Sequence, residues 1–374
     1  MAMKTVLVVV MTCLATIQVC AQATPPPNFD YGECVTGRIN LTPDRVYTLT
    51  NEAQRYTVDR SKYDLTLDYG SVDYIAGGAL LNLVPGPPGS KIAQGARFST
   101  THYMQYGRIT GRFRPVADSG AVTTLITWSE KQALIPGTTE LIQDEIDWEV
   151  VGSHPTDPQY NVFTVKSKAL ERTMHGGPSG AHITPNATHD FFIDWRTDRI
   201  DWGVDNQVVR SVTKANSRAL TAASGMGPGD AWFPEEASRV QFSVWDGSGT
   251  GGWAGGPLNW NGRQKISAMY EYIEIQCYDH ANQPVARFAV TGGSGRSSTA
   301  PNGPSSPSNA TSTIPLSTLK ETMTAAAAFP GSTLTANSGL GGNKPAANSA
   351  LSMGLLAMSV TSGVVVAMTA ALLL

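Results

Sequence analysis

Asp144-Glu145-Ile146-Asp147-Trp148-Glu149 is the stretch on which the reading of this 374-residue chain turns. Taken as a β-strand, its side chains alternate between two faces. Glu145, Asp147 and Glu149 share one face, and Ile146, Trp148 and Val150 share the other, packed into a core. Three carboxylates side by side on one strand face repel one another. Folding alone does not favour such a row, so it asks for a chemical use.

The spacing suits glycoside chemistry. Four strand residues span about 13 Å at roughly 3.3 Å each, and a glutamate carboxyl lies roughly 3.5–4 Å from its own Cα. On a curved strand, two inward-leaning glutamates come within about 5–6 Å. A retaining glycosidase needs about 5–5.5 Å, so that one carboxylate attacks carbon while the other protonates the leaving oxygen. The bland readings are an acidic strand facing solvent and a calcium site. Sugar sites also stack rings on aromatic faces, and Trp202, Trp232, Trp245, Trp253 and Trp260 supply candidates. Trp245 and Trp253 stand out because the Gly-rich run Asp246–Gly256 separates and follows them, and a loop tryptophan has little core to enter.

Outward from this stretch, short alternating apolar runs are broken by Gly, Pro, Asn and Asp. Ala121–Trp128, Glu145–Val151, Asn161–Lys166, Phe191–Arg196, Ile200–Val204, Val240–Trp245 and Tyr270–Tyr278 read as strands. The pattern predicts an all-β sandwich or barrel. Arg199–Val209 reads as a hairpin turning at Asp205-Asn206, while Lys265–Ala268 fits either a short helix or a strand. His175, His182 and His189 recur every seven residues, but intervening Gly and Pro rule out a shared helix face, so no metal site is expected. No phosphate loop, nucleophile elbow or dinucleotide fingerprint appears, and no cofactor is expected. A net charge of −3 gives no basic patch for nucleic acid.

Both ends read differently from the block at 24–290. Residues 1–23 carry one lysine, an apolar run and Ala21-Gln22-Ala23, the layout of a secretory signal peptide. Residues 291–337 are rich in Ser, Thr, Gly, Pro and Asn and cannot bury enough apolar surface to offset chain entropy; they read as a disordered, O-glycosylated stalk. Residues 338–374 combine small residues, a polar spacer and the uncharged run Leu351–Leu374. That is the order of a glycosylphosphatidylinositol signal, removed on attachment. Asn337 is the expected attachment residue, with Gly342 and Asn343 as alternatives, and a tail-anchored helix is the competing reading. Cys13 and Cys20 leave with the signal peptide; Cys34 and Cys277 then suit one disulfide, or else two buried thiols. Asn40, Asn186 and Asn309 head glycosylation sequons, the first weakened by Pro43.

The stretch DEIDWE resembles the catalytic signature of glycoside hydrolase family 16, in the form without an extra bulge residue. The nearer resemblance is to fungal Crh-type chitin–glucan transglycosylases. It rests also on Tyr106–Ile109, on His189–Arg210 and on SVWDGSGTGGWAGG from Ser243 to Gly256. The resemblance implies a curved jelly roll with the carboxylate strand lining a cleft. It implies Glu145 as nucleophile, Glu149 as acid/base and Asp147 as helper, with chitin as donor and β-glucan or chitin as acceptor. Trp245, Asp246, Trp253 and Lys166 are the expected sugar contacts, and the enzyme is expected to act as a monomer. Glu149 must be protonated at rest, and the charges of Glu145 and Asp147 would push its pKa up. A β-1,3- or mixed-linkage glucan hydrolase is the second reading; a non-catalytic wall lectin is the third. Three departures from the family pattern stand out: an apparent insertion at Ser129–Gln143, an altered run at Tyr160–Ser167, and Gly203 where the family carries Tyr.

Overall fold

The computed structural model describes residues 24–134, 141–165, 177–221 and 233–290. The expected signal peptide, stalk and anchor signal, together with Lys166, His175, Trp232, Asn309 and Asn337, lie outside the described residues. Most of those described form two antiparallel-dominated sheets packed into a curved sandwich; Glu33–Val35 and Arg287–Ala289 form a third, two-stranded sheet, and the single α-helix among the described residues is Lys214–Thr221.

The first sheet has eight strands. Its order runs Gly177–Pro178, Gln159–Phe163, Leu141–Val151, Ala121–Leu134, Ser238–Asp246, Ala96–Thr100, Leu65–Tyr69, Val46–Thr48. The second has Gln207–Thr213, Arg199–Val204, His189–Trp195, Gly107–Arg114, Ile266–Tyr278, Gly78–Leu83 and Ser71–Ile75 in line, with Gly37–Asn40 and Pro284–Val285 also paired to Ile266–Tyr278. The inner faces meet in one core. From the first sheet come Ile146, Trp148, Leu125, Phe242 and Phe98; from the second, Phe113, Phe191, Trp202 and Tyr270, all fully buried. Removing this apolar surface from water, at about 25 cal/mol per Å², is the main force holding the layers together.

The strands read from the sequence are present, most with longer ends, except that the one expected at Asn161–Lys166 runs over Gln159–Phe163, with Lys166 outside the described residues. Lys265–Ala268 resolves in favour of a strand: Ile266–Tyr278 pairs with both Gly78–Leu83 and Gly107–Arg114. The hairpin turns at Asp205 and Asn206, with φ of 49° and 64°. Both central residues are left-handed, as a two-residue I′ turn requires, and Asp and Asn tolerate that region. Gly203 sits opposite Phe192 on the outer face of the second sheet. A Cβ there would lie 2.0 Å from the Phe192 ring, so the phenylalanine occupies the space a side chain would need. This departure therefore faces away from the carboxylates.

Within the segment Ser129–Gln143, the described residues up to Leu134 and from Leu141 extend the strand pair that leads into the carboxylate row. Leu134, Ala133 and Gln132 pair with Leu141, Ile142 and Gln143. Cys34 and Cys277 form a disulfide across 243 residues, joining the first described strand to Ile266–Tyr278. Asn40 and Asn186 are both exposed.

Candidate active site

Strand pairing fixes which residues share the open face of the first sheet, because directly paired residues point the same way. Glu145, Asp147 and Glu149 lie opposite Phe163, Asn161 and Gln159 on one side. On the other side they lie opposite Trp128, Ile126 and Thr124. One strand further, these meet Arg239, Gln241 and Ser243. Ile146 and Trp148 point into the core, as the alternation requires.

The three carboxyls occupy unequal settings. Asp147 is only 3% exposed, whereas Glu145 and Glu149 keep partial access to the open face. Burial raises the pKa of all three. Glu145 is pushed up to about 7, held back by hydrogen bonds from Asp147 and Gln143 and by the field of Arg97. Glu149 is pushed up to about 8, first by burial and then by the charge of Glu145, with Asn161 acting the other way. Asp147 is raised well above the usual range by burial and by both glutamates. The sequence reading expected neighbouring charges to raise Glu149; burial is the larger cause.

Backbone anchoring holds this strand in place. The Trp148 indole donates to the carbonyl of Phe192 at 2.8 Å, and the Trp202 indole donates to the carbonyl of Asp147 at 2.9 Å. Asp144 is buried, and its carboxylate accepts backbone N–H groups of Val165, Glu235 and Glu236 at 2.8, 2.6 and 2.9 Å. On Glu149, Oε2 accepts from the Asn161 amide at 3.3 Å. Arg97 is paired with Asp68 at 2.9 Å. Among the described residues, no group of three or more His, Cys, Asp or Glu side chains is arranged to hold a metal ion.

The structure sorts the aromatic candidates. Trp202 is fully buried and serves the core, so it is no sugar platform. Trp260 packs against the same core. Trp245 and Trp253 stack with centroids 6.0 Å apart and planes at 25°. They do find a core of their own: a small cluster with Val122, Val151 and Ala254, beyond the Glu149 end of the row. Both stay partly exposed, and the Trp253 indole donates to Gln159, the residue opposite Glu149. Asp246 accepts from Ser248 and from the Ala93 backbone, so its carboxylate shapes the Gly-rich loop, and it stays partly exposed.

Sequence reasoning missed Trp128, partly exposed directly opposite Glu145. It also missed Arg97, Arg239 and Gln143. A strand-alternation argument places Trp128 on a face, but only the register with the next strand shows that it is the face of Glu145.

A curved β-sandwich bearing a row of three carboxyls on its open face, flanked by part-exposed tryptophans, is a carbohydrate-active architecture. The chain belongs to the glycosyl hydrolases family 16, whose profile matches residues 44–272. Among curated proteins it is 28% identical over 71% of its length to Crh-like protein 3 of Botryotinia fuckeliana, covering 61% of that protein. It is 30% identical over 60% of its length to Crh-like protein 2 of Aspergillus fumigatus, covering 48% of it. The chain thus spans about half the length of the curated relatives it matches. Among solved structures, "Crh5 transglycosylase in complex with NAG" shows 21% identity and a TM-score of 0.48, covering 69% of this chain and 90% of that one.

Proposed function

We propose that this chain is a retaining glycosidase–transglycosylase that cuts β-linked wall polysaccharide and rejoins it, moving a chitin fragment onto β-glucan. The observation that carries the proposal is the row itself: Glu145, Asp147 and Glu149 share one strand face, with Asp147 buried between two glutamates that stay partly open to solvent.

The chemistry follows from that arrangement. Glu145 attacks the anomeric carbon and forms a glycosyl ester as the bond to the leaving oxygen breaks. Glu149 gives its proton to that oxygen. Esterification removes the charge of Glu145, which is one of the causes keeping Glu149 protonated, so Glu149 gains acidity at first and then, as a carboxylate, serves as base. An acceptor hydroxyl then attacks the anomeric carbon, its proton passes to Glu149, and Glu145 leaves as carboxylate. Asp147 donates its hydrogen bond to Glu145 throughout and steadies the charge that appears and disappears there.

Residues 1–23 direct secretion, 24–290 form the catalytic domain, 291–337 form a glycosylated stalk, and 338–374 are exchanged for a lipid anchor at Asn337. The enzyme works as a monomer at the outer membrane face or in the wall. Composition supports this reading: an uncharged small-and-apolar run follows a Ser/Thr-rich segment.

Incubation with a chitin oligomer and a labelled β-glucan oligosaccharide tests the activity. Hybrid products longer than either reactant, seen by mass spectrometry, are expected. Shorter glucans alone would establish a glucan hydrolase instead.

A further inference from the structure

We propose that Gln143 is a positioning residue that orients Glu145 and holds it in its charged form. The proposal rests on the reading of Glu145 as nucleophile.

The hairpin extension is what brings Gln143 there. Gln143 pairs with Gln132 while Glu145 pairs with Trp128, so Ser129, Glu130 and Lys131 face Asp144 alone. Such an irregularity re-aims side chains. Asp144 turns inward to its three backbone donors, and Gln143, 7% exposed, lies against Glu145. Its Nε2 donates to Glu145 Oε2 at 2.5 Å.

The other end of the amide is the telling part. Gln143 Oε1 is buried and makes no hydrogen bond. Interior amides usually satisfy both ends. This one satisfies the end facing the carboxylate and forgoes the other, which packing alone does not explain. An amide N–H donates to an ionised carboxylate with either oxygen, whereas a protonated carboxyl has one acceptor-poor face, so the contact favours the charged form.

The groups facing Glu145 are few. Asp147 and Glu149 lie on its own strand, Arg97 and Arg239 on the same sheet face, and the directly opposite residues Phe163 and Trp128 are uncharged. Arg97 is engaged by Asp68 and Arg239 by Glu130, so each acts on Glu145 at a remove. Gln143 touches it.

The test compares the parent with Gln143→Leu, which keeps the volume and removes the donor, and Gln143→Glu, which keeps the shape. Three readouts are taken: the pH profile of kcat/KM, a carbon-13 carboxyl titration of the free protein, and thermal melting. In Gln143→Leu, kcat should fall about 10- to 100-fold, the rate equivalent of one lost hydrogen bond to a charged group, with KM little changed. The acid limb and the Glu145 titration should both move to higher pH, and further in Gln143→Glu, where a second carboxyl faces the first. An unmoved titration in either folded variant overturns the proposal, as does lost activity that tracks only a lowered melting temperature. Glu145→Gln is assayed alongside: if it retains transfer, the nucleophile reading fails, while the titration still decides what Gln143 does to Glu145.

Discussion

The indole of Trp202, on one sheet, is hydrogen-bonded to the backbone carbonyl of Asp147, on the other, at 2.9 Å. The return contact runs from Trp148 to Phe192 at 2.8 Å. Two tryptophans thus cross the same core in opposite directions, and the central member of the carboxyl row is tied through its backbone to the far layer. A change deep in the second sheet is therefore felt at the site.

Trp202→Phe keeps the ring in the core and removes the donor. It should cost about 1–2 kcal/mol of stability, the value of a buried hydrogen bond whose acceptor is left behind. It should also lower kcat more than it raises KM. Urea unfolding and steady-state kinetics check both, and an unchanged unfolding midpoint would show that the contact contributes nothing.

Glu145→Gln should reduce transfer by at least about 10³-fold with the fold intact, as for removal of a nucleophile. Glu149→Gln should block ordinary substrates yet spare the first step for a substrate with a good leaving group. Asp147→Asn should weaken turnover about 10- to 100-fold without ending it. Product anomeric configuration, read by NMR, should be retained; inversion would contradict the covalent route.

On the proposed mechanism, activity needs Glu145 ionised and Glu149 protonated. The rate should therefore rise as pH climbs through about 7 and fall as it passes about 8, with both limbs belonging to the coupled cluster. Stability has its own sign. The folded-state pKa values are raised, so the associated stability is present at low pH and is lost as pH rises through about 8. Glu149→Gln should be more stable than the parent at pH 9, by on the order of 1 kcal/mol or more, and the gap should close near pH 4. Melting curves across pH measure this directly.

Trp253→Ala should raise the KM for acceptor sugars several-fold, because it removes a part-exposed ring held next to Gln159, opposite Glu149. Donor cleavage with an activated leaving group should change less. Equal effects on donor and acceptor would place the tryptophan elsewhere in the cleft's work.

Breaking the Cys34–Cys277 link with a double serine variant should destabilise the domain by about 5 kcal/mol in the chain-entropy description of so long a loop, less any strain released. Denaturant unfolding with and without reductant tests it.

Local periodicity made much of this legible in advance. Alternation in DEIDWE placed Glu145, Asp147 and Glu149 together, because a strand's two-residue period needs no partner to be read. Asp205-Asn206 announced its turn through two residues that accept positive φ. What stayed hidden depends on pairing between distant segments. Trp128 and Arg239 join the row only through register with Ala121–Leu134 and Ser238–Asp246. Trp202 stayed among the aromatic candidates because an aromatic residue does not disclose which face of its strand is buried. Asp144 gave no sign of its three backbone partners, which come from segments up to 92 residues away.

The disulfide also bears on mechanical load. Residues Glu33–Val35 pair with Arg287–Ala289, and Cys34 is bonded to Cys277. A pull applied at Val290 meets this short ladder first and can peel the chain back only as far as Cys277. There the crosslink passes the tension to Cys34, near the other end of the domain's sequence, so Ile266–Tyr278 cannot be stripped away residue by residue. The strand carrying Glu145 and Glu149 lies in the other sheet, off that line of force. A tether on this side would let the domain be tugged by growing polymer while its carboxyls keep their spacing.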